Sequence, residues 1–138
     1  MTVDFDFQPT LQGARVIVRP IASSDWESMF AAAADPEIWV QHPSSDRYTE
    51  RAFRQYFDDA IECGSAFAFV DRQSGTIIGS SRYHGFDPVT REVEIGWTFL
   101  EEKNLYCVGF IYSTRFGWLQ GIRRISKEVV KHVVNKDL

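Results

Sequence analysis

Ala66-Phe67-Ala68-Phe69-Val70, Asp71-Arg72-Gln73-Ser74-Gly75, Thr76 to His84, Asp87-Pro88-Val89-Thr90 and Glu92-Val93-Glu94-Ile95-Gly96-Trp97-Thr98-Phe99-Leu100 succeed one another along the middle of the chain. The first, third and fifth stretches are rich in aromatic and β-branched residues, whereas the second and fourth gather residues that form turns. This pattern predicts three strands, 66–70, 76–84 and 92–100, joined in succession as antiparallel hairpins.

Upstream the period becomes helical. Between Thr49 and Cys63 the apolar residues Phe53, Tyr56, Phe57, Ala60 and Ile61 fall at i, i+3, i+4, i+7 and i+8, one face of an amphipathic helix that Gly64 would stop. Before it, Ser24-Asp25-Trp26-Glu27 has the S-x-x-E form, in which a serine caps one end amide and the glutamate returns to the cap residue's own amide. The alanine-rich helix that follows should end at Asp35-Pro36, because proline cannot donate the next helical hydrogen bond. Leu11 to Arg19, a β-branched run after a Gly turn and closed by Pro20, predicts a first strand. Downstream, 108–120 reads as a helix stopped by Gly121 and 122–130 as a strand with a basic start. Strand, helix, helix, three strands, helix, strand is an α+β order around one mostly antiparallel sheet. With 138 residues and no repeat or linker, the expectation is a single domain over 1–138.

Composition narrows the function classes. Hydrophobic residues make up 44% and aromatics 14%, enough to bury a core. The longest apolar runs, such as Ala31 to Ala34, are a few residues long, whereas a bilayer span needs roughly 20. Asp4 and Asp6 stand where a signal peptide would be basic and then apolar, so no membrane association and a cytoplasmic location are expected. Two cysteines, Cys63 and Cys107, without a C-x-x-C or a paired histidine, argue against a disulfide scaffold, a zinc site or a thiol nucleophile. Seven Lys and Arg against four Asp and Glu give residues 101–138 a charge of +3; with −4 overall, the first hundred residues carry −7. An acidic body is unsuited to general nucleic-acid binding and suits an amine-bearing substrate.

The segments Phe69-Val70-Asp71-Arg72, Gly75-Thr76-Ile77-Ile78-Gly79-Ser80, Arg82-Tyr83 and Glu92 to Leu100 together resemble the GNAT acetyltransferase superfamily. Leu11 to Pro20 and Asp35-Pro36-Glu37-Ile38-Trp39 are similar to its branch that acetylates the N-terminal residues of ribosomal proteins. The resemblance implies a GNAT-like mixed, mostly antiparallel sheet flanked by helices, with acetyl-CoA as co-substrate and a peptide N-terminus or a small amine as acceptor. It implies that the strand 92–100 bulges away from its neighbour, so that the backbone of Trp97, Thr98, Phe99 and Leu100 holds the pantetheine arm and faces the thioester oxygen, with Gly96 easing the bend.

A protonated amine needs a base, and the resemblance assigns that role to Glu94, with Glu92 on the same strand face and His84 as a lesser base or substrate contact. The alternatives are a cross-strand ion pair of Glu94 with Arg82, and a merely polar His84 at a strand end. Trp39, His42, Tyr83 and Phe86 are candidates to line an acceptor cleft between the helices and the hairpin. Gly109 would mark the phosphate turn, with Lys103 adding charge, although the segment has one glycine where the family has two or three and carries Glu101 and Glu102. Asn135 falls where an asparagine contacts the pantetheine arm. Set against the resemblance, the family's last helix and final strands are expected to be missing, and a sheet ending here is expected to expose an edge and pair with a second copy through the C-terminal segment. The competing reading is a non-catalytic binding or assembly module with a degraded coenzyme site.

Overall fold

Gly13 turns the chain back on itself, its N–H bonded to the Val16 carbonyl at 2.9 Å, so the run expected to form one strand is a short hairpin. In the computed structural model, which describes residues 5–40 and 42–101, this hairpin comprises β1 (Leu11–Gln12) and β2 (Val16–Pro20). The other strands are β3 (Ala66–Asp71), β4 (Ile77–Asp87) and β5 (Glu92–Leu100). They form one sheet in the order β1-β2-β3-β4-β5, with every neighbouring pair antiparallel. The elements expected over 108–120 and 122–130 lie outside the described residues.

Both helices fall between β2 and β3. α1 (Trp26–Ala33) follows a 3-10 turn at Ser23–Asp25, and its entry differs from the expected capping box. No serine side chain caps it. Instead Asp25 accepts the Ala22 N–H at 2.8 Å and both arms of the Arg19 guanidinium at 2.8 Å each, which ties the end of β2 to the start of α1. A carboxylate outcompetes a hydroxyl here because it can satisfy an amide and a fork of charged donors together. Burial alone would raise the Asp25 carboxyl, but the hydrogen bonds from Arg19 and Ala22, with the guanidinium charge, hold it below the usual carboxylate range.

α1 ends before Asp35-Pro36 as expected, and a second 3-10 turn, Pro36–Trp39, carries Trp39 into the core. There its indole N–H donates to the Ala33 carbonyl at 2.8 Å, satisfying a buried donor and a helix-end acceptor at once. α2 (Glu50–Glu62) is capped by the Thr49 hydroxyl, and Gly64 follows it at φ 65°, a left-handed conformation that suits glycine.

α2 buries the predicted residues Phe53, Tyr56, Phe57 and Ala60. With Met29, Ala32 and Ala33 of α1 and Trp39, they pack on Ala66, Ala68, Ile77 and Phe99 of the sheet. The other sheet face is built separately. Phe67 meets Tyr83 with ring centroids 4.9 Å apart, and Phe5 stacks on Phe86 at 4.7 Å.

At Gly79 β4 and β5 approach closely: a Cβ there would lie 2.2 Å from the Phe99 carbonyl oxygen. Backbone cannot yield as a side chain tip can. Gly79→Ala should therefore lower stability by about 3 kcal/mol, read as a shift of the urea midpoint. An unchanged midpoint would mean that the two strands do not need this contact.

Candidate functional site

The pairing of β4 with β5 breaks in two places. Ser80 pairs with Phe99 and Arg82 with Gly96, so Trp97 and Thr98 together oppose the single Ser81: β5 carries an extra residue. Further along, His84 pairs with Glu94 and Asp87 with Glu92, so β4 carries the extra residue, at Gly85 (φ 60°) and Phe86.

Trp97 adopts φ 51°, a conformation a bulky side chain takes only when its surroundings impose it. The surroundings are visible. The Tyr56 hydroxyl donates to the Trp97 carbonyl at 2.7 Å. The Arg82 guanidinium carbon lies 4.9 Å from the indole centroid, and the His84 ring meets the indole edge-on at 4.8 Å. From the opposite sheet face the Ser81 hydroxyl reaches the Gly96 carbonyl at 3.2 Å and the Thr98 hydroxyl at 2.8 Å. Tyr56 is buried, and that burial pushes its phenol pKa up, so it stays a neutral donor.

Glu94 is largely exposed, and its carboxylate lies 3.6 Å from His84 Nε2, within ion-pair range when the imidazole is protonated. Arg82 is not its cross-strand partner. It pairs with Gly96, turns under the helices at 7% exposure and donates to the Tyr56 carbonyl at 3.2 Å. Gly96 has a different use from the one expected. The unusual φ belongs to Trp97, whereas a Cβ on Gly96 would lie 2.9 Å from His84 Nε2; the bare glycine lets the imidazole cross the strand toward Glu94.

The four residues expected to line an acceptor cleft are divided. Trp39 is buried, with His42 against it at 5.1 Å and Phe99 at 5.4 Å on the helix side. Tyr83 and Phe86 are on the other face, because strand side chains alternate and the Gly85 bulge returns Phe86 to the face of Tyr83. Among the other expected site residues, Phe99 is fully buried, Thr98 and Leu100 lie on β5, and Gly109 and Asn135 lie outside the described residues.

Two arginines that sequence reasoning did not place beside Tyr56 complete the helix side. Arg47 lies 4.9 Å over the Tyr56 ring and Arg82 5.1 Å from the same centroid, so two guanidinium groups flank one phenol. A cavity of about 260 Å³ opens beside them, lined by Arg47, Gln55, Tyr56, Asp46 and Asp59 among others. The available signal was the alternation of β4: an arginine two residues from His84 shares its face. Among the described residues no group of three His, Cys, Asp or Glu could hold a metal ion, and no helix is long and apolar enough to cross a membrane.

Comparison with known proteins places the fold. The profile of the acetyltransferase (GNAT) domain matches residues 15–109. A GCN5-related N-acetyltransferase from Brucella melitensis superposes with a TM-score of 0.57 at 20% identity, over 92% of this chain and 56% of its own. An acetyltransferase of the GNAT family from Bacillus anthracis gives 0.55 at 16% identity, over 73% of this chain and 58% of its own. The chain thus spans a little over half the length of either, and the likeness to them is one of fold. No protein of curated function matches.

His42 supplies a pH-dependent contribution. Burial first, and then the Arg47 charge, lower its pKa from 6.5 to about 4. Between those values the unfolded chain binds the proton and the folded one does not, so this stability is present above pH 6.5 and is lost as pH falls toward 4. The melting temperature should drop across that window, and His42→Asn should flatten the drop; parallel losses in both proteins would reject the assignment.

Proposed function

This chain belongs to the GNAT acetyltransferase family, and on that premise we propose that it moves the acetyl group of acetyl-CoA to a primary amine, either a protein N-terminus or a small amine, by direct attack. The observation that carries the reading is the interrupted ladder at Trp97–Thr98, held open against strain from both sides of the sheet. Acetyl-CoA, when bound, supplies an activated acyl group on a thiol leaving group. The described residues fit its acyl end, since a bulge leaves backbone groups outside the ladder. Gly109 and Asn135, proposed for its remaining parts, are outside the described residues.

The chain's own contribution begins with Tyr56. Because a trans peptide is planar, holding the Trp97 carbonyl also fixes the direction of the Thr98 N–H. Donors set in advance are worth most where oxyanion charge develops, and the backbone of Trp97 to Leu100 is assigned that role. Glu94 takes the proton of the acceptor ammonium, with solvent access through which to pass it on. His84 holds the carboxylate toward the bulge, and Gly96 leaves it the room to do so.

A coenzyme titration and two variants test it. Acetyl-CoA at a hundred times its Kd should stabilise the protein by about 2.7 kcal/mol, and the absence of any thermal shift at millimolar coenzyme would leave only a binding module. Glu94→Gln should lower kcat by about 100-fold with that shift retained. Gly96→Ala, which displaces the His84 ring, should lower kcat while leaving the urea midpoint nearly unchanged. Full activity in both variants would remove the Glu94–His84 assignment.

A further inference from the structure

Arg82 stands apart from Arg19, the other arginine in the described strands. Arg19, on β2, is answered by the Asp25 carboxylate at 2.8 Å. Arg82 is more deeply buried, at 7% exposure, yet among the described residues its guanidinium meets only the carbonyl and the phenol oxygen of Tyr56, both neutral, and its Nε meets no acceptor. The faces of Tyr56 and Trp97, 5.1 and 4.9 Å away, return part of the cost of taking the cation out of water, but no carboxylate reaches it among the described residues. A buried guanidinium answered only by neutral oxygens is suited to an anion that reaches its remaining edge, and its fork matches a carboxylate.

Its neighbours give the anion a second half. On the helix side of the sheet the groups run Arg47, Tyr56, Arg82, Trp97, His84, Glu94, each in contact with the next: cationic at one end, a carboxylate at the other and aromatic rings between. We infer that the acceptor amine carries its own carboxylate, which Arg82 receives, so that the site takes a small zwitterionic amine such as a free α-amino acid. This rests on the acyl-transfer reading above and narrows its acceptor. A polyamine would bring positive charge against Arg82, and an amide would answer the buried guanidinium with a neutral oxygen only.

The test uses the full chain with the proteinogenic L-amino acids, their primary amides, and putrescine and spermidine as purely cationic controls, in thermal-shift and acetyl-transfer assays. At least one amino acid should raise the melting temperature where its amide does not, and its kcat/KM should exceed the amide's by about tenfold or more. Arg82→Gln should close that gap by lowering kcat/KM for the acid more than for the amide, and Arg82→Lys should restore part of it. Amides equal to acids, preference for a diamine, or equal losses on both substrates in Arg82→Gln would each overturn the inference. A shift selective for acids with no amine acetylated would sink the acyl-transfer reading and keep the carboxylate site. Equal acetylation of acids and amides would do the reverse.

Discussion

The Tyr56 hydroxyl, 2.7 Å from the Trp97 carbonyl, joins the helical layer to the irregular part of the sheet. Tyr56 comes from the buried face of α2, so the packing that forms the core also sets where this donor stands. Because burial keeps the phenol protonated, the donor does not change with pH near neutrality. On the sheet side it meets a residue at positive φ, a conformation that β-sheet pairing would otherwise remove. The strain at Trp97 is thus sustained by tertiary packing on Phe53, Tyr56 and Phe99, whose rings lie within 6 Å of one another.

Three glycines show how closely the sheet is fitted around that point. Gly79 lets the Phe99 carbonyl approach β4, and Gly96 makes room for the His84 imidazole. Gly85, at φ 60°, supplies the opposing bulge that resets the register before Glu94. The first of these sites meets backbone and the second meets a movable ring, so substitution at Gly79 tests the fold and substitution at Gly96 tests the site. The two bulges lie on opposite strands, one residue gained on each, which restores pairing at both ends of the β4–β5 ribbon.

Charge is handled in two contrasting ways in the same layer. Arg19 and Asp25 satisfy one another and serve the join between β2 and α1. Arg82 is stacked between rings without an anionic partner among the described residues, next to the strained bulge. Buried unsatisfied donors are uncommon in folded proteins because each forfeits its hydration, which is why this one points to a ligand when the paired arginine does not. Arg47 adds a second cation over the same phenol and, after burial, contributes to the lowered pKa of the neighbouring His42.

Local patterning sufficed for the strands at 92–100 and 66–70, the second of which runs one residue further to Asp71, for the helix beginning after Thr49 with its buried Phe53, Tyr56, Phe57 and Ala60, and for the stop at Gly64. These depend on local periodicity and on residues whose backbone preferences do not need a partner. The hairpin hidden in Leu11–Pro20 was not legible, because Gly13 permits a turn without requiring one. Nor were the partners across β4 and β5. Pairing Arg82 with Glu94 is natural if the ribbon is regular, but the extra residue at Trp97–Thr98 moves Arg82 opposite Gly96 and brings His84 to Glu94. Side-chain alternation could have separated Tyr83 from His84, whereas the return of Phe86 to the Tyr83 face needed the Gly85 bulge to be known. Only the tertiary structure could decide these matters. A bulge shifts register by one residue, and whether it forms depends on groups distant in the chain, here a hydroxyl 41 residues away, that make the strained conformation the cheaper one.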